Sequence, residues 1–253
     1  MKIKLFVDKS VEQNAEVYFE KAKKAKKKLK GARVALEKSL KSLRKHEKQK
    51  PEPKKPQEKP SKKEWYEKFR WFISSTGFLV IGGRDATSNE IVIKKHTDPD
   101  DLVFHTDMAG SPFFVIQAEN KKIDQETIEE TAIATASFSR AWKLNIPSVE
   151  VFYVTAEQVT KKAKAGEYIA KGAFMVYGKK NYIRADLKLA VGKKDKKIIC
   201  GPIKAVKSQT KKFMKIEQGN KKSSDIAKQI QSKYKGHLDD IIRILPTGNI
   251  KII

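Results

Sequence analysis

The chain has 253 residues, 55 of them Lys or Arg and 30 Asp or Glu, giving a formal net charge of +25 at 39% hydrophobic content. That length supports one sizeable core or two small domains, and a charge that large repels itself unless a polyanion, most commonly nucleic acid, shares the surface. No apolar run approaches the ~20 residues of a spanning helix, the lysine-interrupted first residues are no secretory signal, and Cys200, the single cysteine, excludes an intrachain disulfide or a cysteine-based zinc site. The expectation is a cytoplasmic protein with no membrane partner.

From Ser10 to about Gln49 one helix is expected. Val11, Ala15, Tyr18, Ala22, Ala25, Leu29, Ala32 and Leu36 alternate spacings of four and three, and the phase continues through Ser39 to Leu43. This is the a/d stripe of a coiled coil rather than the broader face of a globular helix. Ser10, with Gln13 three residues on, makes a capping box. The other faces carry lysine, including Lys21, Lys23, Lys24, Lys26, Lys27 and Lys28, which form either a solvated surface or an RNA contact. Such a seam needs a partner helix, and none of comparable length occurs in the chain. Its partner is therefore either a dimer mate or a first arm lying in sequence outside this one. The arm spans 1–49; residues 50–63, with four prolines among lysines and other polar residues, read as an extended linker.

From Glu64 the composition turns globular, and 64–253 is expected to form one α+β domain with a mostly antiparallel sheet flanked by helices. "RWFISS" and "FLVIGG" read as strands about a turn at Thr76-Gly77. A short helix follows, from Arg84-Asp85 to His96, then strands at Leu102–Thr106 and Phe113–Ala118. A helix runs from about Asp124 to Trp142, with Ala132, Thr135, Ala136 and Ser139 as a small face for close approach to a sheet. "SVEVFYV" is a strand, and "GAFMVYGKKNYIRADL" reads as a hairpin turning at Gly178–Lys180. Further strands are expected at Ile198–Val206 and Phe213–Ile216. Ser224-Asp225 caps a helix carrying Ile226, Ile230 and Tyr234, and a second short helix ends at Leu245 before Pro246 and Gly248.

Three motifs bear on chemistry. Gly82-Gly83-Arg84-Asp85 joins a strand to a helix, where free amides hold phosphate and Arg84 would clamp it. Equally, Asp85 is a helix cap that competes for those amides. No Gly-Lys-Ser/Thr follows, so this is not a Walker loop. His105 and Asp107 lie at i, i+2 on a strand and face the same way. A zinc site needs three or four ligands, and His46, His96 and His237 stand at no ligand spacing. Ser111, followed at once by Pro112, sits in no nucleophile elbow. A non-catalytic His105 is therefore expected, either hydrogen-bonded within the fold or touching a ligand. Tyr177, Lys179, Lys180, Asn181 and Tyr182 interleave cations with aromatics, the mixture that unpaired RNA requires, although a lysine-rich turn reads the same way.

"WYEKFRWFISSTGFLVIGGRDATSNEIVIKKH", "DLVFHTDMAGSPFFVI", "EQVTKKAKAGEYIAKGAFMVYGKKNYI" and "CGPIKAVK", in this order, resemble the NFACT-R domain, also known as DUF814. That domain occurs in archaeal and eukaryotic proteins of ribosome-associated quality control and in bacterial relatives once called fibronectin-binding. "SVEQNAEVYFEKAKKAKKKLKGARVAL" is similar to the closing arm of their coiled-coil region. The resemblance covers nearly the whole chain and is closest to archaeal members; the family's N-terminal domain, helix-hairpin-helix module and first coiled-coil arm do not appear here. It implies an RNA-binding module of a quality-control factor, with tRNA, rRNA and the large ribosomal subunit as partners, acting where a stalled peptidyl-tRNA remains and its chain is extended at the C-terminus. It implies no cofactor, no metal and no catalytic residue, since peptidyl transfer belongs to the ribosome. Arg84, His105, Lys94, Lys95, Lys179, Lys180, Asn181 and Tyr182 are the expected RNA contacts, with Asp85, Asn89, Asp107 and Gly110 as scaffold. The alternatives are an RNA nuclease or modifying domain using His105, Asp107 and Asp85, and a tether that docks a protein through the coiled coil.

Overall fold

The computed structural model describes residues 4–48, 64–162 and 168–253, in two compact units, 1–62 and 63–253. The expected linker at 50–63 lies outside the described residues.

In the first unit, α1 (Val11–Lys48) is a continuous helix of 38 residues, ~57 Å long at 1.5 Å per residue. The capping box is present: Ser10 Oγ accepts from the Gln13 amide (3.3 Å) and Gln13 Oε1 from the Ser10 amide (3.0 Å). Sequence pattern gave no hint of a second anchor. Asn14 is buried, its Oδ1 accepting from the Phe6 amide (2.8 Å) and its Nδ2 facing the carbonyls of Phe6, Lys9 and Ser10. The Tyr18 hydroxyl donates to the Lys4 carbonyl. Residues 4–10 are thus strapped to the first turns. On the seam, Val11, Leu29 and Leu36 are exposed at 82%, 56% and 61%.

The second unit is α+β and all its strand pairs are antiparallel. A short 3-10 turn (Trp65–Lys68) leads into β1 (Arg70–Ile73) and β2 (Leu79–Gly82), paired Ile73 to Leu79 across Gly77, whose φ of +100° needs glycine. Next come α2 (Ala86–Lys95), β3 (Leu102–Thr106), β4 (Phe114–Ile116), α3 (Gln125–Ser137), α4 (Arg140–Lys143) and β5 (Ser148–Thr155). The short strands β6 (Val159–Thr160) and β7 (Met175–Val176) pair with each other. Then follow β8 (Asn181–Asp186), β9 (Leu189–Lys194), β10 (Lys197–Pro202), α5 (Ile203–Gln209), β11 (Phe213–Lys222), α6 (Ser223–Tyr234), α7 (Leu238–Ile244) and β12 (Asn249–Ile252). The main sheet has the order β1-β2-β4-β3-β5-β8 and the second β10-β9-β11-β12.

Strand alternation sends side chains to two cores. Val80, Phe104, Phe114 and Ile116 pack with α3 and the second sheet, whereas Ile81, Val103, Val115 and Phe152 pack with Val92 of α2 and with Phe174 and Val176. Helix α3 lies close on the sheet because Ala132, Ala136, Thr131 and Thr135 are small and fully buried. The hydroxyls of Thr131 and Thr135 are satisfied by the carbonyls four residues back, each at 2.8 Å.

Four expectations are corrected. Residues 172–187 are not a hairpin: β7 pairs with β6 and β8 with β5, and the chain changes sheet through Gly178 at φ +82°. The helix from 124 to 142 breaks at Phe138, where the Ser139 hydroxyl accepts from the Ala141 amide and caps a new turn. The strand expected through Val206 stops at Pro202, which starts α5 without needing an amide donor. Strand β11 runs on from Ile216 to Lys222 through a polar stretch, held by β12 across a bulge at Gln218–Lys221.

Gly83 joins β2 to α2 at very close range: a Cβ there would fall 1.8 Å from Asn89 Oδ1. Gly83→Ala should therefore push Asn89 off its place and lower stability by ~1–3 kcal/mol, read as a reduced urea midpoint; an unchanged midpoint would mean that this junction is loose.

Candidate nucleic-acid interface

A cavity of about 660 Å³ opens where the β2–α2 junction, the β3–β4 turn and the segment leading into β7 meet. The first wall is the start of α2. Asp85 Oδ1 accepts from the Ser88 amide at 2.8 Å and Ser88 Oγ accepts from the Asp85 amide at 2.9 Å. The bond from the Ser88 amide holds the Asp85 carboxyl below its usual range. One turn on, Asn89 is buried and its Oδ1 accepts from the Phe113 amide at 3.3 Å, tying α2 to the head of β4. Gly172 seats on the same helix end. At φ +80° its Cβ would lie 2.4 Å from Ala86 Cα, and its amide donates to Glu90 Oε1 at 3.2 Å. Glu90 also pairs with Lys161 (2.8 Å) and Lys94 (3.4 Å), and these bonds, that to Lys161 foremost, hold its carboxyl at about 2. The free end of α2 is thus occupied by the chain's own groups.

His105 and Asp107 both line the cavity, and each is hydrogen-bonded to a group of the cavity wall rather than to the other. The His105 ring stacks on Phe113 (centroids 4.1 Å apart, planes at 24°), and Nε2 lies 3.2 Å from the Ser111 carbonyl. Burial pushes its pKa down to about 4, so the ring is uncharged at neutral pH. The Ser111 hydroxyl donates to the Pro112 carbonyl, which leaves no Ser–His pair of the kind a nucleophile needs. Asp107 instead accepts from Lys180 Nζ (2.9 Å) and the Tyr182 hydroxyl (3.2 Å). The Lys180 bond lowers the Asp107 pKa and raises that of the lysine. The same ammonium lies 4.1 Å above the Phe152 ring centre.

The remaining sequence candidates divide by place. Gly110, at φ +88°, lines the cavity beside Arg140. The Lys179 side chain is exposed and its carbonyl accepts from Gln158 Nε2 at 3.1 Å. Asn181 and Tyr182 are exposed on β8, the edge of the main sheet. Lys94 and Lys95 lie at the exposed C-terminal end of α2 and do not line the cavity.

Sequence reasoning missed Arg70, Lys171 and Phe174, all cavity-lining. Arg70 opens an apolar strand; its guanidinium lies 4.2 Å over the Phe138 ring centre and Nη1 is 3.5 Å from the Leu245 carbonyl. Burial, helped by Arg84, lowers its pKa to about 10, and it remains a cation at neutral pH. Arg84 Nη2 donates to the Phe69 carbonyl at 2.8 Å, while its buried Nε has no hydrogen-bond partner. Its pKa is lowered by burial first and then by Arg243, with Asp240 and Asp85 opposing. A strand-opening arginine carries no periodic signal, and only the fold brings it beside Arg84.

Among the described residues, no group of three or more His, Cys, Asp and Glu side chains is arranged to hold a metal. No helix of the described residues is long and apolar enough to cross a membrane. Cys200 is buried, which pushes its thiol up to about 12.

An aromatic-walled cleft with arginines and lysines at its rim is the equipment of a nucleic-acid-binding module. Residues 68–178 match the NFACT protein RNA binding domain. The archaeal Rqc2 homolog aRqcH of Methanocaldococcus jannaschii is 41% identical over 200 residues, 76% of this chain and 30% of that protein. The human ribosome quality control complex subunit NEMF is 36% identical over 175 residues, 67% of this chain and 16% of that protein. The chain therefore spans less than a third of the length of either relative. It belongs to the NFACT family, and the relatives it matches are ribosome quality-control proteins. A solved structure, the C-terminal part of the fibronectin/fibrinogen-binding protein from Streptococcus suis, is 18% identical with a TM-score of 0.40, covering 70% of this chain and 76% of that one.

The His105 ring predicts a pH dependence. An unfolded histidine titrates near ~6.5, so between there and about 4 the unfolded chain binds a proton that the folded one does not. Stability is then full above the unfolded value and falls as pH falls. Going from pH 7.5 to 5 should cost ~2 kcal/mol through this group, measured by urea unfolding. His105→Gln should remove that share, and an identical pH dependence in wild type and variant would place the ring in water instead.

Proposed function

We propose that this chain is an RNA-binding module of a ribosome-associated quality-control factor. In this reading it binds tRNA and rRNA on large ribosomal subunits that carry a stalled peptidyl-tRNA, in the cytoplasm, and supports C-terminal extension of the nascent chain. The observation that carries the reading is the cleft: Arg70, Arg84, Lys171 and Lys180 line it together with aromatic rings, in a chain of formal charge +25. Cations anchor phosphates without regard to sequence, and rings accept unpaired bases. The family match and the relatives' names agree with it. The α1 seam supports a helix partner, either a second copy or another arm of a longer protein. A nuclease using His105, Asp107 and Asp85 finds little support, because Asp107 is engaged by Lys180 and Tyr182 and Asp85 caps α2.

The geometry also ranks the lysines. Lys180 is committed to Asp107 and Phe152, whereas the Lys179 side chain is exposed. With ~4–6 phosphates engaged, the affinity of the intact chain for tRNA should fall with a log–log salt slope of about −3 to −5. Lys179→Ala should flatten that slope by about 0.7–0.9, the share of one phosphate, and Lys180→Ala by less. Binding no tighter than that of an equally basic folded control protein would leave the lysines as solvated surface.

A further inference from the structure

We propose that the cleft holds a single unpaired nucleotide, with its phosphate at Arg70 and Arg84 and its base against Phe174, Met175 and Val176. This deepens the RNA reading above and rests on it.

The volume, about 660 Å³, lies inside the roughly 300–1,000 Å³ of small-ligand sites. The lining separates into a cationic and an apolar part. On the cationic side two guanidiniums share a partly buried wall; burial lowers the pKa of both, with Arg84 adding to it at Arg70 and Arg243 at Arg84. Their donors are under-used. Of the five N–H groups on each guanidinium, Arg84 spends one on the Phe69 carbonyl and leaves a buried Nε without a partner, and Arg70 makes one long contact to the Leu245 carbonyl. A phosphate dianion or diester supplies negative charge and paired acceptor oxygens, which the planar guanidinium fork can meet with two parallel N–H donors. Two of the acids nearby are committed elsewhere: Asp85 is bound to Ser88, and Asp107 to Lys180 and Tyr182. The phosphate seat is not the α2 N-terminus, which Asp85 caps and Gly172 covers.

On the apolar side, Phe174, Met175 and Val176 line the cleft and stay partly exposed. An anion alone gains nothing from such a wall, whereas a base does. The site is concave, and a base paired within a duplex cannot enter it without leaving its stack. His105, uncharged at neutral pH, adds no charge to this wall.

The test uses the full chain and separate titrations with AMP, CMP, adenosine, inorganic phosphate, a single-stranded RNA trinucleotide and the same trinucleotide sequence within a duplex. The expected order places the mononucleotides above both phosphate and adenosine, and the single strand above the duplex. Arg84→Gln and Arg70→Gln should each weaken mononucleotide binding tenfold or more, Arg84→Lys less, and Phe174→Ala about fivefold or more, the value of one base stack. Lys171→Gln, an exposed change that leaves the core intact, should weaken it severalfold, and Lys228→Gln on α6, outside the cleft, not at all. A trinucleotide bound more tightly than AMP or CMP identifies an RNA strand as the source; equal affinities identify a free nucleotide. Failure of every nucleotide to saturate, or equal affinity in wild type, Arg84→Gln and Lys171→Gln, overturns the proposal. If tRNA still binds in that case, the RNA reading stands and only the cleft falls. Mononucleotide binding without tRNA binding leaves the cleft and removes the RNA reading.

Discussion

Asn89 stands where a side chain on Gly83 would have to be, and the walls of the cleft follow from that contact. Its Oδ1 would meet a Gly83 Cβ at 1.8 Å, and it accepts instead from the Phe113 amide. One side chain on the second turn of α2 thereby fixes the distance between the end of β2, the helix and the head of β4. Asp85 and Ser88 close the first turn below it, and Glu90 reaches the other way to hold Gly172 and Lys161. The three segments that form the cleft are thus tied to four residues, Asp85, Ser88, Asn89 and Glu90, of one short helix and its cap. Substitutions at 83 or 89 act on the site by moving its walls.

The cations of this domain fall into two classes, and the distinction matters more than their number. Lys94, Lys161 and Lys180 already have carboxylate partners and serve the fold. Arg70 and Arg84 are held over a ring and against a backbone carbonyl respectively, so their positions are set, and the buried Arg84 Nε has no hydrogen-bond partner. A preorganised, partly desolvated guanidinium loses little further freedom on meeting phosphate, and its attraction is screened less than that of a surface lysine. In the proposed reading, exposed lysines such as Lys179 would supply long-range attraction and the two arginines the place.

Local pattern read some parts of this structure well and others poorly, for physical reasons. β3, β5 and α2 were legible because alternation, β-branched and aromatic content, and the Asp85 and His96 ends agreed with one another. β9 and β12 were not: "NIKI" is short and pairs with β11 across two intervening helices, and the hairpin of "LAVGKK" with β10 turns at Asp195-Lys196 without the glycine that signals such a turn. The apparent hairpin at Gly178–Lys180 had the correct turn residue and the wrong topology: Gly178 supplies positive φ, but periodicity cannot tell which sheet each flank joins. At the site, His105 and Asp107 drew attention as a pair on one face of a strand, whereas their partners, Ser111 for one and Lys180 with Tyr182 for the other, are set by the β3–β4 turn and by β8. Arg70 was missed because a strand-opening arginine carries no periodic signal, although the β1–β2 pairing sets it opposite Gly82 and so near Arg84.

The central claim is that RNA enters the cleft, beyond being drawn to the charge of the chain. Ultraviolet crosslinking of the intact chain to tRNA, with the modified peptides mapped, tests this most directly. The account predicts crosslinks at the cleft residues Phe174 and Met175, lost at elevated salt together with binding and reduced by Arg84→Gln. Crosslinks confined to the lysine-rich stretch of α1, or to α6, with the cleft peptides unmodified, would contradict it.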